Sequence, residues 1–319
     1  MPDSASVDIL QADVTLLPTG AQHDISHGNQ VATVVQVGGG LRRYEVDGFP
    51  VVDGYAAGEM ARSGRGQVLV PWPNRLADGS YEFGGQTLQL PLGEPERRNA
   101  IHGLVRWSSW DLLASTASTV RMGHVLWPQA GYPFTLRLEL EYELSDAGLR
   151  VTIRAENVGS RPAPYGAGMH PYVRAELGGI DGGVLHLPAE RWLETDERRI
   201  PTGRVLDVDG TPYDFRRPRL LGDTAMDTAF TGIIRGADEV ARIELRDAGG
   251  RCVTVWMDGH FDYLMVFTAD PLPGDERRRS IGVEPMTCAP NAFRNGLGLL
   301  VLEPGQQVSG SWGISLTSG

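Results

Sequence analysis

A single carboxylate, Glu284, stands in an otherwise uncharged run that extends from residue 281 to residue 293. The flanking apolar residues Ile281 and Val283 alternate as in a strand. Pro285 cannot donate the next ladder hydrogen bond, so we expect Glu284 to lie where that strand ends. A carboxylate among apolar neighbours is costly to bury unless it is paired or has a chemical task. Glu284 is therefore a candidate functional acid, and a structural carboxylate that caps a backbone turn is the equal alternative.

Two histidines lie in segments that also contain a proline or a glycine next to the polar residue. His170 follows small residues and precedes Pro171, which predicts a side chain that projects from a strand end into open space. His102 precedes Gly103, which allows a backbone or a ligand to approach closely, although a structural role is the commoner one for such a histidine. Neither histidine has a second one at the spacing of a metal-binding pair, so we expect no metal site.

Three further polar residues could contact a polyol or carboxylate ligand. Asn74 and Arg75 follow an apolar strand that ends in two prolines. An arginine on such a stiffened loop can donate several hydrogen bonds in a fixed geometry, and a surface arginine paired with Asp78 is the alternative. Asp227 lies among small and apolar residues, where it could bind a ligand hydroxyl or, equally, cap a turn.

Alternation of apolar and polar residues dominates the chain and predicts the strands that must position these groups. It runs from Phe134 to Leu144 and resumes from Leu149 to Ala155 after a turn, which indicates a long antiparallel hairpin. Shorter hairpins are expected around Gly84-Gly85 and around Gly38 to Gly40. Further strands are expected near residues 183–188, 241–246, 251–257, 262–268 and 309–316.

The spacing of the turn residues favours an all-β fold. Glycine (41 residues) and proline (21 residues) recur at strand-length intervals, and no amphipathic helix longer than a couple of turns is evident. We therefore expect a large, mainly antiparallel β protein in which residues 1–319 form one domain. Alternation alone does not distinguish a sandwich, a barrel and a propeller, although no repeated blade motif is present.

The composition limits the kinds of partner. A net charge of -11 and an isoelectric point near 5.1 argue against nucleic acid and anionic membranes, which require a basic footprint. The basic cluster Arg97-Arg98 lies beside Glu94 and Glu96, which indicates a solvated loop. Residues 1–8 show no secretory signal, and no apolar run approaches the roughly 20 residues of a membrane span. We expect a soluble, cytoplasmic protein.

The two cysteines, Cys252 and Cys288, have neither metal-like nor redox-like spacing. Two free, buried thiols in a reducing compartment are the simpler interpretation, and a disulfide between them is the alternative.

Taken together, the segments that contain these candidate residues resemble the aldose 1-epimerase (galactose mutarotase-like) family. The matching landmarks occur in family order and are Asn74-Arg75, Asn99 to Gly103, Gly168 to Tyr172, Asp227 with Phe230, and Glu284-Pro285 before Asn291 to Phe293. They span roughly residues 65 to 295. The resemblance implies a β-supersandwich of two facing, mostly antiparallel sheets with a sugar in a cleft on one of them. One departure is that Pro171-Tyr172-Val173-Arg174 follows His170, where galactose-type members commonly have x-Tyr, then Phe or Trp, then Asn-Leu, so the sugar stays open.

The resemblance also implies a role for each candidate residue. Glu284 is expected to be the general base and His170 the general acid of a mutarotase that interconverts the α and β anomers of a free aldose. Arg75 and His102 would hold sugar oxygens, and Asp227 would accept hydrogen bonds from ring hydroxyls. We expect His170 to be protonated at rest, since a nearby carboxylate favours that form. No cofactor is implied.

Two tryptophans and Asn74 complete the expected sugar-binding set. Trp107 and Trp72 could stack on a sugar face, although packing in the core is the commoner fate of a tryptophan. Asn74 precedes Arg75 on the same stiffened loop.

Three alternatives remain open. A hexose-6-phosphate mutarotase would need a cationic phosphate pocket, for which Arg75, Arg106 and Arg174 are the candidates. A non-catalytic sugar-binding protein on the same fold would not need both Glu284 and His170. A metal-dependent sugar isomerase of cupin type would need clustered metal ligands, which the spacing disfavours. The expected partner is a small-molecule sugar, and the sequence determines neither its identity nor the oligomeric state.

Overall fold

The computed structural model describes residues 16–176 and 178–318, and strands account for most of their regular structure. Residues 1–8, on which the expectation of no secretory signal rests, lie outside the described residues. The helical elements in the described part are α1 (Ala292–Asn295) and two 3-10 turns (Pro95–Arg97 and Gly274–Glu276). None of the helices in the described ranges has the length and apolar character that a membrane crossing requires.

The strands are, in chain order, β1 (Gln22–His27), β2 (Gln30–Val35), β3 (Leu41–Val46), β4 (Phe49–Pro50), β5 (Val68–Leu69), β6 (Arg75–Ala77), β7 (Ser80–Phe83), β8 (Gln86–Gln89), β9 (Asn99–Ile101), β10 (Asp111–Ser115), β11 (Thr119–Leu126), β12 (Leu136–Ser145), β13 (Gly148–Asn157), β14 (Ala163–Tyr165), β15 (Gly168–Met169), β16 (Tyr172–Val173), β17 (Val184–His186), β18 (Ala189–Thr195), β19 (Pro201–Asp207), β20 (Arg219–Leu220), β21 (Asp227–Ile233), β22 (Ala241–Arg246), β23 (Cys252–Met257), β24 (Tyr263–Phe267), β25 (Ile281–Met286), β26 (Leu300–Leu302) and β27 (Gln307–Thr317). The predicted hairpins around Gly84-Gly85 and Gly38 to Gly40 are confirmed as β7/β8 and β2/β3.

Nine of these strands form one antiparallel sheet, in the order β10-β11-β12-β13-β27-β23-β22-β17-β20. The hairpin of β12 and β13 lies near its centre, where Leu140 pairs with Ile153, so the long predicted hairpin is confirmed. Alternate residues of β12 are buried, and the arginine and glutamates between them point to the wetter face, where Glu139 pairs with Arg121. This sheet therefore has one apolar and one charged face.

A second sheet contains eight strands, in the order β19-β18-β21-β24-β25-β15-β5, with β16 also paired to β25. Glu284 lies within β25, opposite Met265 of β24. The expectation that a strand ends at Glu284 is wrong, because β25 continues through Pro285 to Met286.

The direction of the Pro285 nitrogen explains why the strand continues. The N–H of Val283 donates to the carbonyl of Pro171 (3.1 Å), on the side of β15 and β16. Successive N–H groups on that side come from every second residue, so the nitrogen of Pro285 faces the same way. There β15 pairs only at Met286 and β16 only at Gly282 and Ile281, which leaves an interruption opposite Pro285. The missing donor therefore removes no ladder bond.

The two large sheets share one hydrophobic core. Its members include Leu140, Ile153 and Trp312 from the nine-stranded sheet and Phe230, Leu264 and Val283 from the eight-stranded sheet. A common core requires the apolar faces of the two sheets to oppose each other, which makes the fold a sandwich and not an open barrel or a propeller. The β-supersandwich that the resemblance implies is therefore confirmed, while the division into one domain stays a prediction.

The two cysteines fit this core. Cys252 on β23 and Cys288 after β25 are both buried, and they are not joined in a disulfide. Burial raises the pKa of the Cys288 thiol to about 12, which keeps it protonated and unreactive. The interpretation as two free, buried thiols is confirmed.

Candidate active site

A cavity of about 660 Å³ opens on the eight-stranded sheet. Its wall comes from β21, β24 and β25, from the small β6/β9 pair, and from the loops at residues 61–64 and 270–272. The seven candidate residues all line it, namely Glu284, His170, Arg75, His102, Asp227, Asn74 and Trp107. Residues that are far apart in the sequence therefore converge on one space.

The innermost contact joins His170 and Glu284. The Nε2 atom of His170 lies 3.2 Å from Oε1 of Glu284, and the two residues are only 5% and 2% exposed. Oε2 of Glu284 is also buried and has no hydrogen-bond partner among the described residues. A buried carboxyl oxygen without a partner is costly, so a ligand hydroxyl at this point would satisfy it.

The interruption in the sheet beside Pro285 is also what turns His170 into the cavity. His170 lies between β15 and β16, immediately before Pro171. Its N–H donates to the carbonyl of Gln67 (3.1 Å), and its own carbonyl accepts the N–H of Gly66 (2.9 Å). The backbone of His170 is thus held to the two residues just before β5, which fixes the point from which the imidazole projects.

Burial determines where the proton of this pair resides. Burial, together with the charges of Arg65, Arg106 and Arg75, lowers the pKa of His170 to about 3. Burial also raises the pKa of Glu284 well above its ordinary value, with Asp227 adding to the shift and Arg75 opposing it. Both groups are therefore held neutral, so the resting pair carries one proton on the carboxyl side.

The expectation that His170 is protonated at rest is therefore wrong. One contact with a carboxyl group does not offset the desolvation of an imidazolium that also faces three guanidinium groups. The pair nevertheless retains what proton transfer needs, namely one proton and two basic atoms in contact.

Stacked side chains support the imidazole from behind. The ring of Tyr172 lies 4.9 Å from that of His170 at an interplanar angle of 14°. The guanidinium carbon of Arg65 lies 4.6 Å from the centre of the Tyr172 ring, on which it makes a cation–π contact. The buried side chain of Asp53 accepts a hydrogen bond from the Ser280 hydroxyl (2.7 Å), and the backbone N–H of Asp53 donates to the carbonyl of Tyr172 (2.8 Å).

The charge of Asp53 is held by arginines around it. Burial alone would raise the pKa of Asp53, but Arg174, Ser280 and Arg279 hold that pKa below its usual value. Arg174 is thus the ion-pair partner of Asp53 and is not among the residues that line the cavity. The idea that Arg174 joins Arg75 and Arg106 in a phosphate pocket is therefore wrong.

His102 is fixed as a neutral hydrogen-bond donor. Its ring atom Nδ1 accepts a hydrogen bond from the backbone N–H of Asn74 (3.3 Å). The backbone N–H of His102 in turn donates to the backbone carbonyl of Asn74 (2.9 Å). Nε2 must therefore carry the proton of the neutral ring. Burial places the pKa of His102 well below its ordinary value, and the charges of His170, Arg106 and Arg75 act in the same direction.

Arg75 is held on one side by two carboxylates. Its Nε and Nη2 donate to the two oxygens of Glu94 (2.9 and 3.1 Å), and its Nη1 lies 3.5 Å from Oδ1 of Asp227. Asp227, the first residue of β21, also lies 3.6 Å from Nε of Arg199. The alternative pairing of Arg75 with Asp78 is wrong. The loop that carries Arg97-Arg98 is largely solvated, as expected, but Glu94 within it is buried.

The remaining candidates have different surroundings. Asn74 lines the cavity, but its side-chain oxygen is already occupied by the N–H of Arg75 (2.8 Å). Trp107 is 52% exposed at the cavity wall, where its ring can be reached. Trp72 is buried and packs against Phe293, with ring centres 5.6 Å apart, so a stacking role for Trp72 on a sugar is wrong.

Several cavity residues were not identified as site residues from the sequence, among them Glu94, Arg199, Gly64 and Tyr213. Glu94 stands in a run of mixed charges, and nothing local distinguishes it from a surface acid. One histidine pair, His23 and His27, has a metal-like spacing, but both lie on β1, where residues four apart are separated by about 13 Å. Within the described ranges, no three His, Cys, Asp or Glu side chains are grouped so as to hold a metal ion.

Comparison with known proteins identifies the family. Residues 22–315 match the family described as Aldose 1-epimerase, and the protein belongs to that family. Among curated relatives, the uncharacterized protein YihR of Escherichia coli (strain K12) is 34% identical over 289 residues, which cover 90% of this chain and 91% of YihR. Galactose mutarotase of Homo sapiens is 29% identical over 227 residues, which cover 66% of this chain and 63% of the human protein.

Solved structures show the same fold. The GalM/aldose epimerase homologue from C. elegans superposes with a TM-score of 0.82 at 15% identity, over 93% of this chain and 99% of that one. Galactose 1-epimerase from Lactobacillus acidophilus NCFM gives a TM-score of 0.76 at 19% identity, over 92% and 94% of the two chains.

Gly64 provides a test of how tightly the imidazole is held. Its φ is +80°, and a Cβ added there would lie 2.5 Å from Cδ2 and 2.9 Å from Nε2 of His170. We expect Gly64→Ala to displace the imidazole and to lower kcat for the epimerisation that gives the family its name by about 10²-fold. Polarimetry on fresh aldose anomers measures this rate.

Gly48→Ala is the matched control, since Gly48 has a similar φ of +73° and a Cβ there would meet nothing within 4 Å. An unchanged rate in a folded Gly64→Ala protein would show that the position of His170 does not depend on this contact.

Proposed function

We propose that the protein is an aldose 1-epimerase that interconverts the α and β anomers of an aldose, with Glu284 and His170 as its acid–base pair. The observation that carries the proposal is the 3.2 Å contact between Nε2 of His170 and Oε1 of Glu284 at the bottom of a cavity lined with hydrogen-bonding groups. A protein that only binds sugar gains nothing from burying two proton-transfer groups against each other at a cost in stability.

The reaction needs two proton transfers at neighbouring atoms. A base removes the proton from O1, an acid protonates the ring oxygen, and the C1–O5 bond breaks to leave an open-chain aldehyde. Rotation about C1–C2 and ring closure by the reverse transfers give the other anomer. The pair gains one proton as it gives one up, so it returns to its starting state without any external acid or base.

The roles follow from how the sugar would bind. An O1 hydroxyl that donates to the unpartnered Oε2 of Glu284 stabilises the carboxylate form of that residue. The proton of the pair then moves to Nε2 of His170, 3.2 Å away, from which it can be given to the ring oxygen. Glu284 thus acts as base and His170 as acid in the bound state, although the resting proton lies on the carboxyl side.

Other cavity groups would hold the remaining oxygens. Asp227 accepts hydrogen bonds from ring hydroxyls, while Arg75 and His102 donate to them. Because Nε and Nη2 of Arg75 are held by Glu94, its Nη1 points in a defined direction, toward Asp227. Trp107 at the wall offers an apolar ring face to the sugar, and Asn74 retains its amide nitrogen as a donor.

Replacement of either member of the pair tests the mechanism. We expect Glu284→Gln and His170→Asn each to lower kcat for anomer exchange by about 10²- to 10⁴-fold, because each removes one proton-transfer group. Polarimetry or exchange NMR on fresh anomers gives the rates, and every rate is compared with a buffer blank, since anomers exchange unaided in water. Glu303→Gln and His260→Asn are matched controls on exposed residues.

Thermal denaturation should show that the two variants are folded. Burial raises the pKa of Glu284, which means that the folded protein disfavours the ionised form of this carboxyl group. The neutral amide of Glu284→Gln does not ionise, so this variant should not be less stable than the wild type. Wild-type rates in either variant would remove that residue from the mechanism.

The pH profile of kcat/KM tests whether His170 and Glu284 share one proton. The pair becomes inactive when it gains a second proton, below the lowered pKa of His170 at about 3, and when it loses its only proton, above the raised pKa of Glu284. We therefore expect a plateau bounded on the alkaline side by that raised pKa.

Removing the charge of Asp227 tests the direction in which that charge shifts the pKa of Glu284. Asp227 helps to raise the pKa of Glu284, so Asp227→Asn should move the alkaline limb to lower pH. Asp209→Asn, whose side chain is 83% exposed, should leave the limb in place. A limb that stays fixed or moves upward in Asp227→Asn contradicts the assignment.

A further inference from the structure

The imidazole of His170 lacks the hydrogen bond that commonly orients a histidine in proton transfer. Such a histidine usually works through one ring nitrogen while the other is held by a carboxylate or a backbone carbonyl. Nε2 of His170 contacts Glu284, but Nδ1 is buried and finds no hydrogen-bond partner on another residue of the described ranges. The orientation of this ring therefore depends on the groups packed against its flat surface and its edges.

Tyr172 provides that packing surface. Its ring lies nearly parallel to the imidazole, with centres 4.9 Å apart and an interplanar angle of 14°. Tyr172 is fully buried, and Phe267 meets its ring edge-on at 6.2 Å. In a close-packed interior, a ring with neighbours on several sides cannot shift without losing these contacts. The plane of the tyrosine ring thus sets the plane of the imidazole.

Three consecutive residues of the loop before β5 enclose the two stacked rings. The carbonyl of Ser63 accepts the hydroxyl of Tyr172 (2.8 Å), which fixes the far end of that ring. Gly64 lies against the imidazole of His170, where an added Cβ would come within 2.5 Å of Cδ2. The guanidinium carbon of Arg65 lies 4.6 Å from the centre of the tyrosine ring. One short segment therefore holds both rings.

Asp53 joins this loop to the strands that carry the rings. Its backbone N–H donates to the carbonyl of Tyr172 (2.8 Å), and Nη2 of Arg65 lies 3.5 Å from its Oδ2. The same oxygen accepts hydrogen bonds from the Ser280 hydroxyl (2.7 Å) and from Nε of Arg279 (3.2 Å), just before β25. A single buried carboxylate thus connects the loop, β16 and the start of β25.

We propose that Tyr172 is a positioning residue for the reaction, whose ring keeps the imidazole of His170 turned toward Glu284. Asp53 and Arg65 contribute one step further out, because they hold that ring in place. The inference rests on the proposed function, since it takes the contact between Nε2 and Oε1 (3.2 Å) to be the path of the proton. A displacement of about 1 Å at such a contact is enough to slow the reaction greatly.

Substitutions that remove or keep the ring test this role. Tyr172→Leu removes the surface on which the imidazole of His170 rests, so kcat for anomer exchange should fall about 10- to 100-fold while KM stays within about twofold. Tyr172→Phe keeps the ring and loses only the hydrogen bond to Ser63, so its kcat should stay within about threefold of the wild-type value. Polarimetry on fresh anomers gives both constants.

Tyr142→Leu is the matched control for the loss of a buried tyrosine. Tyr142 is fully buried on β12 of the nine-stranded sheet, and its hydroxyl also donates to a backbone carbonyl, that of Gly39 (2.6 Å). Leucine at this position should lower Tm about as much as Tyr172→Leu does, while kcat per folded molecule stays unchanged. If kcat falls no further in Tyr172→Leu than in this control, the positioning role is overturned.

Two arginine variants test the group above the ring. Arg65→Met removes the cation that lies over Tyr172, so kcat should fall about two- to tenfold. Arg62→Met is its control, because Arg62 belongs to the same loop and, like Arg65, pairs with Glu276 (3.7 and 3.2 Å). The control should retain the wild-type kcat. Equal rates in the two variants would contradict the contribution of Arg65.

Crystal structures of the unliganded variants separate this inference from the proposed function, since they require no turnover. We expect Nε2 of His170 to move by about 1 Å or more away from Glu284 in Tyr172→Leu and to stay in place in Tyr172→Phe. An imidazole displaced in this way, in a protein whose wild type accelerates no anomer exchange, refutes the proposed function alone. An active wild type whose Tyr172→Leu variant keeps its rate, or loses it with the imidazole unmoved, refutes the positioning role alone.

Discussion

The site depends on one constraint, which is that an imidazole and a carboxyl group are buried against each other with a single proton between them. Neither His170 nor Glu284 can charge alone without losing solvation, so burial lowers the pKa of one and raises that of the other. The 3.2 Å contact makes the two ionisations depend on each other. Everything else in the cavity either holds these two groups in place or sets the charge that surrounds them.

Two prolines lie at the break in the sheet beside this pair. Pro171 separates β15 from β16, and Pro285 lies in β25 opposite that interruption. A proline in the middle of a sheet normally costs a ladder bond, but here its nitrogen faces a place where no bond is made. The same break lets His170 leave the sheet and face Glu284, so the cost of an irregular sheet is linked directly to the function of the cavity.

Charge compensation at the wall of the cavity is uneven. Three carboxylates, Glu94, Asp227 and Glu284, lie around Arg75, which gives that side hydrogen-bonding groups of both signs. Arg106 lines the same cavity and forms no ion pair with a carboxylate within the described residues, whereas His170 contacts Glu284 directly.

Local sequence patterns predicted most of the fold and the seven cavity residues, whereas the state of the site required distances. Alternation identified β12 because buried and more exposed residues alternate along the whole of that strand. Alternation could not show that β25 continues through Pro285, because a proline interrupts a strand only if its nitrogen faces a neighbouring strand that needs a donor there. Glu94 looked like a surface acid because its partner, Arg75, is 19 residues away. The proton on the Glu284 side depends on the summed effect of burial and of nearby charges, among them Arg65 and Arg106, which belong to none of the matching landmarks.

A crystal structure of the Glu284→Gln variant with a bound aldose tests the central claim most directly. The account predicts a sugar in this cavity, with O1 within hydrogen-bond distance of the side chain at position 284 and the ring oxygen beside Nε2 of His170. A sugar that binds elsewhere, or that binds here with C1 directed away from both groups, would contradict it.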